Sequence, residues 1–583
     1  MVRISFLSIL FFIQFTSYSQ TFSPERVTAW ENAGLTTELQ APQNQVSVID
    51  FGADNTGQAN CSVAVADAIT SLNGNAGTIY FPAGEYFFSS GISIPDSVFL
   101  KGESSETELI FDLDGSGDLI RLNGTISPTQ YTIVSATKGS YELELSDATG
   151  LEIGDIVRLY QFDEDYMFSS WAYGTLGQVV KISAIDDNTL TLTDPLNHHY
   201  PLSRNPYCKK LNPRTGAGIE CLKIVREDAT TGQTDNVVLN YAYNCVVRNV
   251  EIENSNFAHV SINSSAHIQI EGCYLHHAHA YGGGGQGYGV VTQYATSFCL
   301  TQNNIFEHLR HSMLIQAGAN GNVFGYNYSY DPYWESGFLP TNSAGDAVLH
   351  GNYTYMNLFE GNTVQHMVID ASHGSNGPYN TFFRNRGELY GFFSDSGTPS
   401  DSMNVVGNVI TNSGFPYGLF MLNGVGHYSY GNNHSGSVTP SNTSNMTVNT
   451  LYLNENDLPA FLNQEILPMV GYPLAMNQKL LQAEQRFISE EYVDCENMIT
   501  SSEASVKTQN DAFTITGNTI ETVPSALPAV LSIYSTNGAL IKQRTLTSTK
   551  EMFSLPYRNE MLLIQVRSRN GYACTSFKHV GLK

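Results

Sequence analysis

One short pattern recurs through the middle of the chain and limits the folds open to it. An Asn or Gly closely follows an apolar pair, and the next copy comes at a nearly constant distance. The copies end at Asn249, Gly272, Asn303, Asn327, Asn362, Asn385, Asn408 and Asn432. Five of the seven intervals are 23 or 24 residues long, and the two longer intervals contain insertions. A repeat of this length predicts a solenoid with one coil per period.

The segments between the repeated positions predict strands rather than helices. They are short and rich in β-branched and aromatic residues, with Gly and Asn between them. The 50 Gly residues and the 14% of charged residues also suit a β-rich chain with many turns. We therefore predict an all-β protein built on a parallel β-helix with coils about 4.8 Å apart. Its Asn side chains would form hydrogen-bonded ladders, and Cys245 and Cys299 would be buried thiols.

The N-terminal part resembles a known family. "VSVIDFGADNTGQANCSVAVADAI" and "GTIYFPAGEYFFSSGISIPDSVFLKGE" are similar to the pectate-lyase-3-like N-terminal cap of the pectate lyase superfamily, chiefly in "DFGAD" and "YFPAGEY". The resemblance implies a right-handed parallel β-helix, with residues 44–125 as its cap and first coils. That superfamily contains lyases, hydrolases, epimerases and phage tailspikes, so the resemblance specifies the fold more narrowly than the reaction.

Further segments flank the predicted coils at 236–450. Arg3, the apolar stretch from Ile4 to Phe15 and the small residues before Gln20 predict a signal peptide at 1–19. No later apolar run is long enough to cross a membrane, so a secreted or cell-surface protein is expected. Strand-like segments predict an inserted β module at 126–235, and a C-terminal cap is expected at 451–497.

Residues 500–583 predict a small C-terminal β-sandwich with alternating strands. "IYSTNGALI" and "GYACTSFKHVGLK" resemble the C-terminal sorting domain of type IX secretion in Bacteroidetes. The resemblance implies that the type IX secretion machinery is a partner and that this domain directs export of the protein. The alternative is a small β-sandwich that binds carbohydrate.

Charge and cysteine content narrow the possible partners. The formal charge of -26 and the pI near 4.8 argue against a nucleic-acid partner, which requires basic surface. The eight cysteines lack the CxxC spacing of metal sites. Cys208 with Cys221, and Cys495 with Cys574, could each form a disulfide, and the sequence leaves both pairings open.

A polar residue ends the apolar strand that enters each coil. Gln293, Gln316, His350, Asp370, Asp395 and Asn423 occupy this position. His350, Asp370 and Asp395 would stack on successive coils, and two neighbouring carboxylates should raise the pKa of one of them. Such a pair supplies the acid and base of glycoside hydrolysis. The alternative without a catalytic role is that both Asp residues only cap turns.

Elimination from a uronate would need a different set of residues. His350 or His373 could be the base, while Arg384 or Arg386 neutralises the substrate carboxylate. When both reactions are considered together, the predicted catalytic residues are His350, His373, Asp370 and Asp395. The sequence does not decide between elimination and hydrolysis.

A second polar stripe four residues after the repeated position predicts a substrate-binding surface. It contains Glu253, His276, Glu307, Asp331 and His366. Beside it we expect substrate contacts from Glu307, His308, Arg310, His311, Tyr333 and Trp334, with the aromatic residues facing sugar rings. A metal on this stripe is conceivable because His, Glu and Asp are suitable ligands. Calcium is possible, and no cofactor is certain.

Together these features predict a secreted enzyme that degrades a polysaccharide, either a lyase or a glycoside hydrolase, as the superfamily resemblance implies. The alternative is a non-catalytic adhesin or glycan-binding protein that uses the β-helix as a stalk. A tailspike-like depolymerase fits less well with the predicted signal peptide and sorting domain.

Overall fold

The computed structural model describes residues 22–336, 344–395, 397–455, 458–462, 470–472 and 480–495, together with the backbone of strands between 513 and 580. The predicted signal peptide lies outside these residues. The chain divides into two compact units, Met1–Asp494 and Cys495–Lys583. The first unit contains the coils and the candidate active site.

The first unit is a parallel β-helix, which confirms the predicted fold class. Its sheet has 32 strands. The N-terminal strands are Gln45–Ser47, Thr56–Asn60, Gly77–Phe81, Gly84–Phe88, Ile92–Ser93, Val98–Gly102, Thr107–Phe111, Ile120–Asn123, Arg214–Thr215 and Gly218–Arg226. The later strands are Val237–Asn240, Ala242–Ser255, Ala258–Asn263, Ala266–Glu271, Tyr274–Ala278, Tyr288–Gln293, Leu300–Gln302, Ile305–Glu307, His311–Ile315, Val323–Gly325, Tyr328–Tyr330, Ala347–Leu349, Leu358–Glu360, Thr363–Ile369, Thr381–Phe383, Arg386–Ser394, Asn404–Val406, Val409–Ile410, Leu419–Phe420, Tyr428–Tyr430, Asn432–His434 and Ser437–Thr439.

Helices are few and short. The α-helices are Ser62–Ser71 and Gln482–Ser489, and the 3-10 helices are Pro24–Arg26, Trp30–Asn32, Val48–Phe51, Ser170–Ala172, Leu202–Arg204 and Ala460–Leu462. In the part of the chain that is described, none of them has the length and apolarity needed to cross a bilayer.

Parallel pairing between coils stacks equivalent side chains on top of one another. Phe324 pairs with Phe359, which pairs with Phe382, and their rings stack with centroids 5.3 and 4.9 Å apart. All three rings are buried, because alternate residues of a strand point into the coil. The core is therefore a set of rows that run along the helix axis.

Asn side chains form the expected ladder from Asn304 to Asn432, but at the first three copies of the repeat the predicted residue lies one position before the ladder position. The Asn304 amide donates to Asn327 Oδ1, and the same contact repeats through Asn362, Asn385, Asn408 and Asn432 at 2.9–3.0 Å. Asn249, Gly272 and Asn303 instead have positive φ and precede the ladder position. Asn suits both a left-handed turn and an amide ladder, whereas Gly suits only the turn, so aligning on both residue types mixed two adjacent positions.

Seven strands form a separate antiparallel sheet that interrupts the coils. They are Thr125–Ile126, Tyr131–Ala136, Glu142–Leu145, Ile156–Tyr160, Gln178–Asp186, Thr189–Leu192 and Tyr207–Asn212. The sheet has its own apolar core, which includes Leu143, Val157 and Val180. The chain then returns to the β-helix, where Gly218–Arg226 pairs with its neighbours. The domain boundaries proposed from the sequence stay predictions.

A buried ion pair joins this antiparallel sheet region to the coils. His267 Nε2 lies 3.0 Å from Asp194 Oδ2, and His267 Nδ1 lies 3.0 Å from the Gly34 carbonyl oxygen. Both partners are hydrogen-bond acceptors, so both contacts are satisfied when the two ring nitrogens carry protons. Burial alone would raise the pKa of Asp194, but His267, Thr193 and Asn32 outweigh it and hold the pKa below its usual value.

We expect Asp194→Ala to lower the free energy of unfolding by about 3–5 kcal/mol at neutral pH, because it leaves a buried charge unpaired. A carboxyl whose folded pKa is lowered stabilises the fold above its unfolded pKa, about 4, and loses this effect as the pH falls through the folded value. Urea titrations at several pH values measure the difference, which should shrink in acid. The exposed Asp67→Ala variant is the control, and a pH-independent difference would contradict the account.

The second unit contains two antiparallel sheets. One consists of Phe513–Thr516, Thr519–Thr522 and Lys550–Met552; the other consists of Ala529–Ser535, Leu540–Leu546, Glu560–Ser568 and Ala573–Val580. The paired cysteines considered above have different outcomes. No disulfide joins Cys208 to Cys221, and both side chains are buried, whereas the pairing of Cys495 with Cys574 stays a prediction. The Cys574 side chain lies outside the described residues. Cys245 and Cys299 are buried free thiols, as expected.

Candidate active site

The predicted polar column is present at the end of one set of strands. His350, Asp370 and Asp395 directly follow strands Ala347–Leu349, Thr363–Ile369 and Arg386–Ser394, which pair in register. The Asp370 amide donates to the carbonyl oxygen before His350 at 2.8 Å, and the Asp395 amide donates to the one before Asp370 at 3.0 Å. These three residues therefore hold equivalent positions on successive coils.

His350 and Asp370 form a close ion pair. Nδ1 of His350 lies 2.5 Å from Asp370 Oδ2, although the contact is not a well-aligned hydrogen bond. Asp370 also accepts hydrogen bonds from the Ser372 amide and hydroxyl at 2.7 and 2.5 Å. Burial would raise the pKa of Asp370, but His350 and Ser372 outweigh it and lower the pKa. Asp370 is therefore not the member of the pair whose pKa rises, and the expectation of one raised carboxyl pKa stays a prediction.

Asp395 has a simpler environment than Asp370. Its Oδ1 accepts a hydrogen bond from the Gly397 amide at 2.8 Å. This local contact stabilises a turn, which is the alternative without a catalytic role considered for both Asp residues. Asp370 makes the same kind of turn contact with Ser372 but also binds His350.

His373 lies beside this ion pair. Its ring centroid is 4.8 Å from that of His350, and its Nδ1 is 3.1 Å from the Ser169 hydroxyl. The Trp171 ring is roughly perpendicular to this imidazole, with ring centroids 5.4 Å apart. Burial and the neighbouring His350 lower the pKa of His373, which favours the neutral ring. His373 is only partly buried, so a neutral imidazole is available at the surface.

The other flank of His350 contains a buried imidazole and a guanidinium group. His311 lies 5.5 Å from His350 between ring centroids, and burial, with His350 and Arg310, lowers the pKa of His311 to about 3. Arg310 stacks over the rings of Tyr288 and Trp334 at 5.6 and 5.4 Å. Arg310 is partly exposed and therefore places a positive charge near the imidazole cluster.

The two other predicted arginines lie elsewhere. Arg384 is buried, and its guanidinium donates to the carbonyl oxygens of Val448 and Tyr472. Arg386 pairs with Glu388 at 2.8 Å. Arg384 has positive φ and precedes a ladder Asn, so its side chain turns toward the C-terminal segment. Neither contact places these cations beside His350.

The remaining predicted substrate contacts form a neighbouring patch. His308 pairs with Asp331 at 2.7 Å and stacks on Tyr333 with centroids 4.9 Å apart. Glu307 accepts a hydrogen bond from Tyr274. The predicted polar stripe is shifted by one residue between these two coils, because strand pairing places Glu307 opposite Tyr330 rather than Asp331.

One group among the described residues has metal-ligand spacing. Glu251, Glu253 and His276 offer atoms within 4.8 Å of one another. The Lys223 ammonium lies 3.2 and 2.7 Å from the two carboxylates. A side-chain cation therefore already contacts both carboxylates of this cluster, and we assign no metal to it.

Sequence reasoning missed Ser169 and Trp171. Both come from the antiparallel sheet region, and Ser169 is 204 residues away from His373 in the chain. The coil repeat could not place them. The usable signal was the aromatic cluster "YMFSSWAY" at 166–173, which is unusually apolar for a connection between strands.

Comparison with known proteins adds a family likeness for one segment. No curated protein matches the sequence. The fold is similar to the tailspike protein gp49 from Pseudomonas phage LKA1 (15% identity, TM-score 0.47, 62% of this chain and 70% of that one). It is also similar to an exopolygalacturonase from Thermotoga maritima (12%, 0.33, 64% and 88%) and to PfbA, a surface adhesin of Streptococcus pneumoniae (13%, 0.32, 67% and 92%). Residues 45–141 match the family "Rhamnogalacturonase A/epimerase, pectate lyase-like".

Proposed function

We propose that this protein is an extracellular polysaccharide-degrading enzyme that cleaves a uronate-containing glycan by elimination. One observation supports this most strongly: a partly exposed His373, favoured in its neutral form, lies against the His350–Asp370 ion pair. A neutral imidazole at an open surface can act as a general base, and the adjacent ion pair can fix the orientation of the side chains around that imidazole.

The chemical step uses the chain's own residues. When Nδ1 of His373 donates to the Ser169 hydroxyl, Nε2 has a free lone pair and can accept the proton beside the uronate carboxylate. The electron pair of the broken C–H bond forms a C=C bond as the C–O bond to the leaving sugar breaks, and the leaving oxygen takes a proton from solvent. Arg310 replaces Arg384 and Arg386 as the cation that neutralises the developing charge on the carboxylate.

Hydrolysis is the second candidate, and the register of the column favours it. Asp370 and Asp395 occupy equivalent positions on adjacent coils, as two cooperating carboxylates would require. In that reaction Asp370, whose pKa is lowered, would stay ionised and Asp395 would supply the proton. The existing contacts of Asp370 with His350 and Ser372 leave it less free to act, so we rank elimination first.

The proposal includes export from the cell. The pattern at 1–19 supports a signal peptide, and the resemblance of 500–583 supports delivery by type IX secretion machinery. The two antiparallel sheets between 513 and 580 agree with a small sorting domain.

Digestion of defined glycans tests the proposal. The purified protein is incubated with polygalacturonate, alginate and a neutral glucan, with and without calcium, and new reducing ends are measured. We expect product from a uronate polymer and none from the neutral glucan. Binding without product on all three would overturn the enzyme proposal and favour the adhesin.

A further inference from the structure

We propose that the connection at residues 162–176, here called the aromatic loop, is a sugar-binding subsite that extends the candidate active site. The inference rests on the proposed function for the identity of its ligand. The ligand of the aromatic loop is a pyranose unit of the same polysaccharide chain that reaches His373.

The aromatic loop is held in one shape. Both carboxylate oxygens of Asp163 accept backbone hydrogen bonds, from Gly174 and Leu176, each at 2.8 Å. Met167 and Leu176 are buried in a cluster with Tyr355 of the coils. A loop anchored at its base and along its inner face presents its outer side chains in a fixed arrangement, which lowers the entropy lost on binding.

The aromatic loop exposes four large aromatic side chains, and three of them, unlike Phe162, lie within four residues of Ser169 in the chain. Phe168, Trp171 and Tyr173 are 68%, 44% and 45% exposed. Exposed apolar side chains grouped in one short segment are a common mark of a binding surface. The apolar face of a pyranose, which consists of C–H bonds, packs on an aromatic ring, while the ring N–H or O–H can meet sugar hydroxyls.

The loop is continuous with the candidate active site. Trp171 packs on His373, and the next residue but one toward the N-terminus, Ser169, contacts the same imidazole. The Phe168 and Ser169 amides both donate to Asn352 Oδ1 on the coils, at 2.9 and 3.0 Å. A sugar bound on Trp171 would therefore be adjacent to the unit that reacts at His373, which identifies a glycan rather than an unrelated partner as the occupant.

Trp171→Ala tests the subsite in the full-length protein. With polygalacturonate or alginate, whichever is cleaved, we expect KM to rise about 10-fold, because a stacking contact shared by ground and transition states is lost. The readout is KM rather than kcat, because Trp171 also contacts His373. Ile153→Ala is the control, since Ile153 is 67% exposed in the same sheet region but lies outside the loop.

Direct binding separates this inference from the proposed function. Affinity electrophoresis in gels that contain polygalacturonate or alginate reports binding whether or not the glycan is cleaved. Weaker retardation of Trp171→Ala, with no product from the wild-type protein, would support the subsite and overturn the enzyme proposal. Normal KM and normal retardation of Trp171→Ala, with product from the wild type, would overturn the subsite alone.

Discussion

Replacing His373 by Gln should reduce turnover of a uronate glycan by about 10²–10⁴-fold, the range typical for loss of a general base. Glutamine keeps a polar side chain that can still reach the Ser169 hydroxyl, but it cannot accept a proton at neutral pH. KM should change little, because the loss falls on the chemical step. Initial rates of product formation measure the effect.

Two further variants make this test specific. Asp370→Asn removes the charge opposite His350 and should also lower kcat, and the double variant should be little worse than His373→Gln alone, since groups that act as a unit are not additive. His199→Gln, at an exposed imidazole in the antiparallel sheet region, should leave the rate unchanged. Wild-type turnover by His373→Gln would remove His373 from the mechanism.

The Asn ladder predicts the second large effect, which is on stability. Asn362 Oδ1 accepts two hydrogen bonds from Asn327, and its amide donates to Asn385 Oδ1 and to the Phe324 carbonyl oxygen. All of these groups are buried. Asn362→Ala leaves several of them without partners, so we expect the free energy of unfolding to fall by about 3–5 kcal/mol.

Urea unfolding followed by tryptophan fluorescence measures this loss, because Trp30 is buried and donates to the Met356 carbonyl oxygen in the same unit. Asn445→Ala is the matched control, since Asn445 is exposed and its loss should cost less than about 0.5 kcal/mol. Equal effects of the two variants would show that the ladder contributes no more than surface amides do.

The fold could be predicted from the repeat because each period of the sequence corresponds to one coil of the β-helix. Strand pairing between coils is parallel and in register, so the order of His350, Asp370 and Asp395 along the sequence translates directly into neighbours in space. Where the pattern was ambiguous, the prediction slipped by one residue, as at Asn303, because Asn fits both a left-handed turn and the ladder.

The parts of the site that depend on long-range contacts could not be read from the period. Arg384 lies close in sequence to the column, but its backbone turns it toward Val448. Ser169 and Trp171 reach His373 only because an inserted sheet folds back on the coils. Periodicity specifies neighbours within the solenoid, whereas contacts made by insertions depend on how each insertion folds.

The ratio of unsaturated ends to new reducing ends in a digest of the cleaved glycan tests the central claim most directly. Elimination at the His373 site predicts one unsaturated uronate, detected by its ultraviolet absorbance, for every new reducing end. Reducing ends without unsaturated ends would contradict elimination and assign the cleavage to hydrolysis, with Asp370 and Asp395 as the residues to replace.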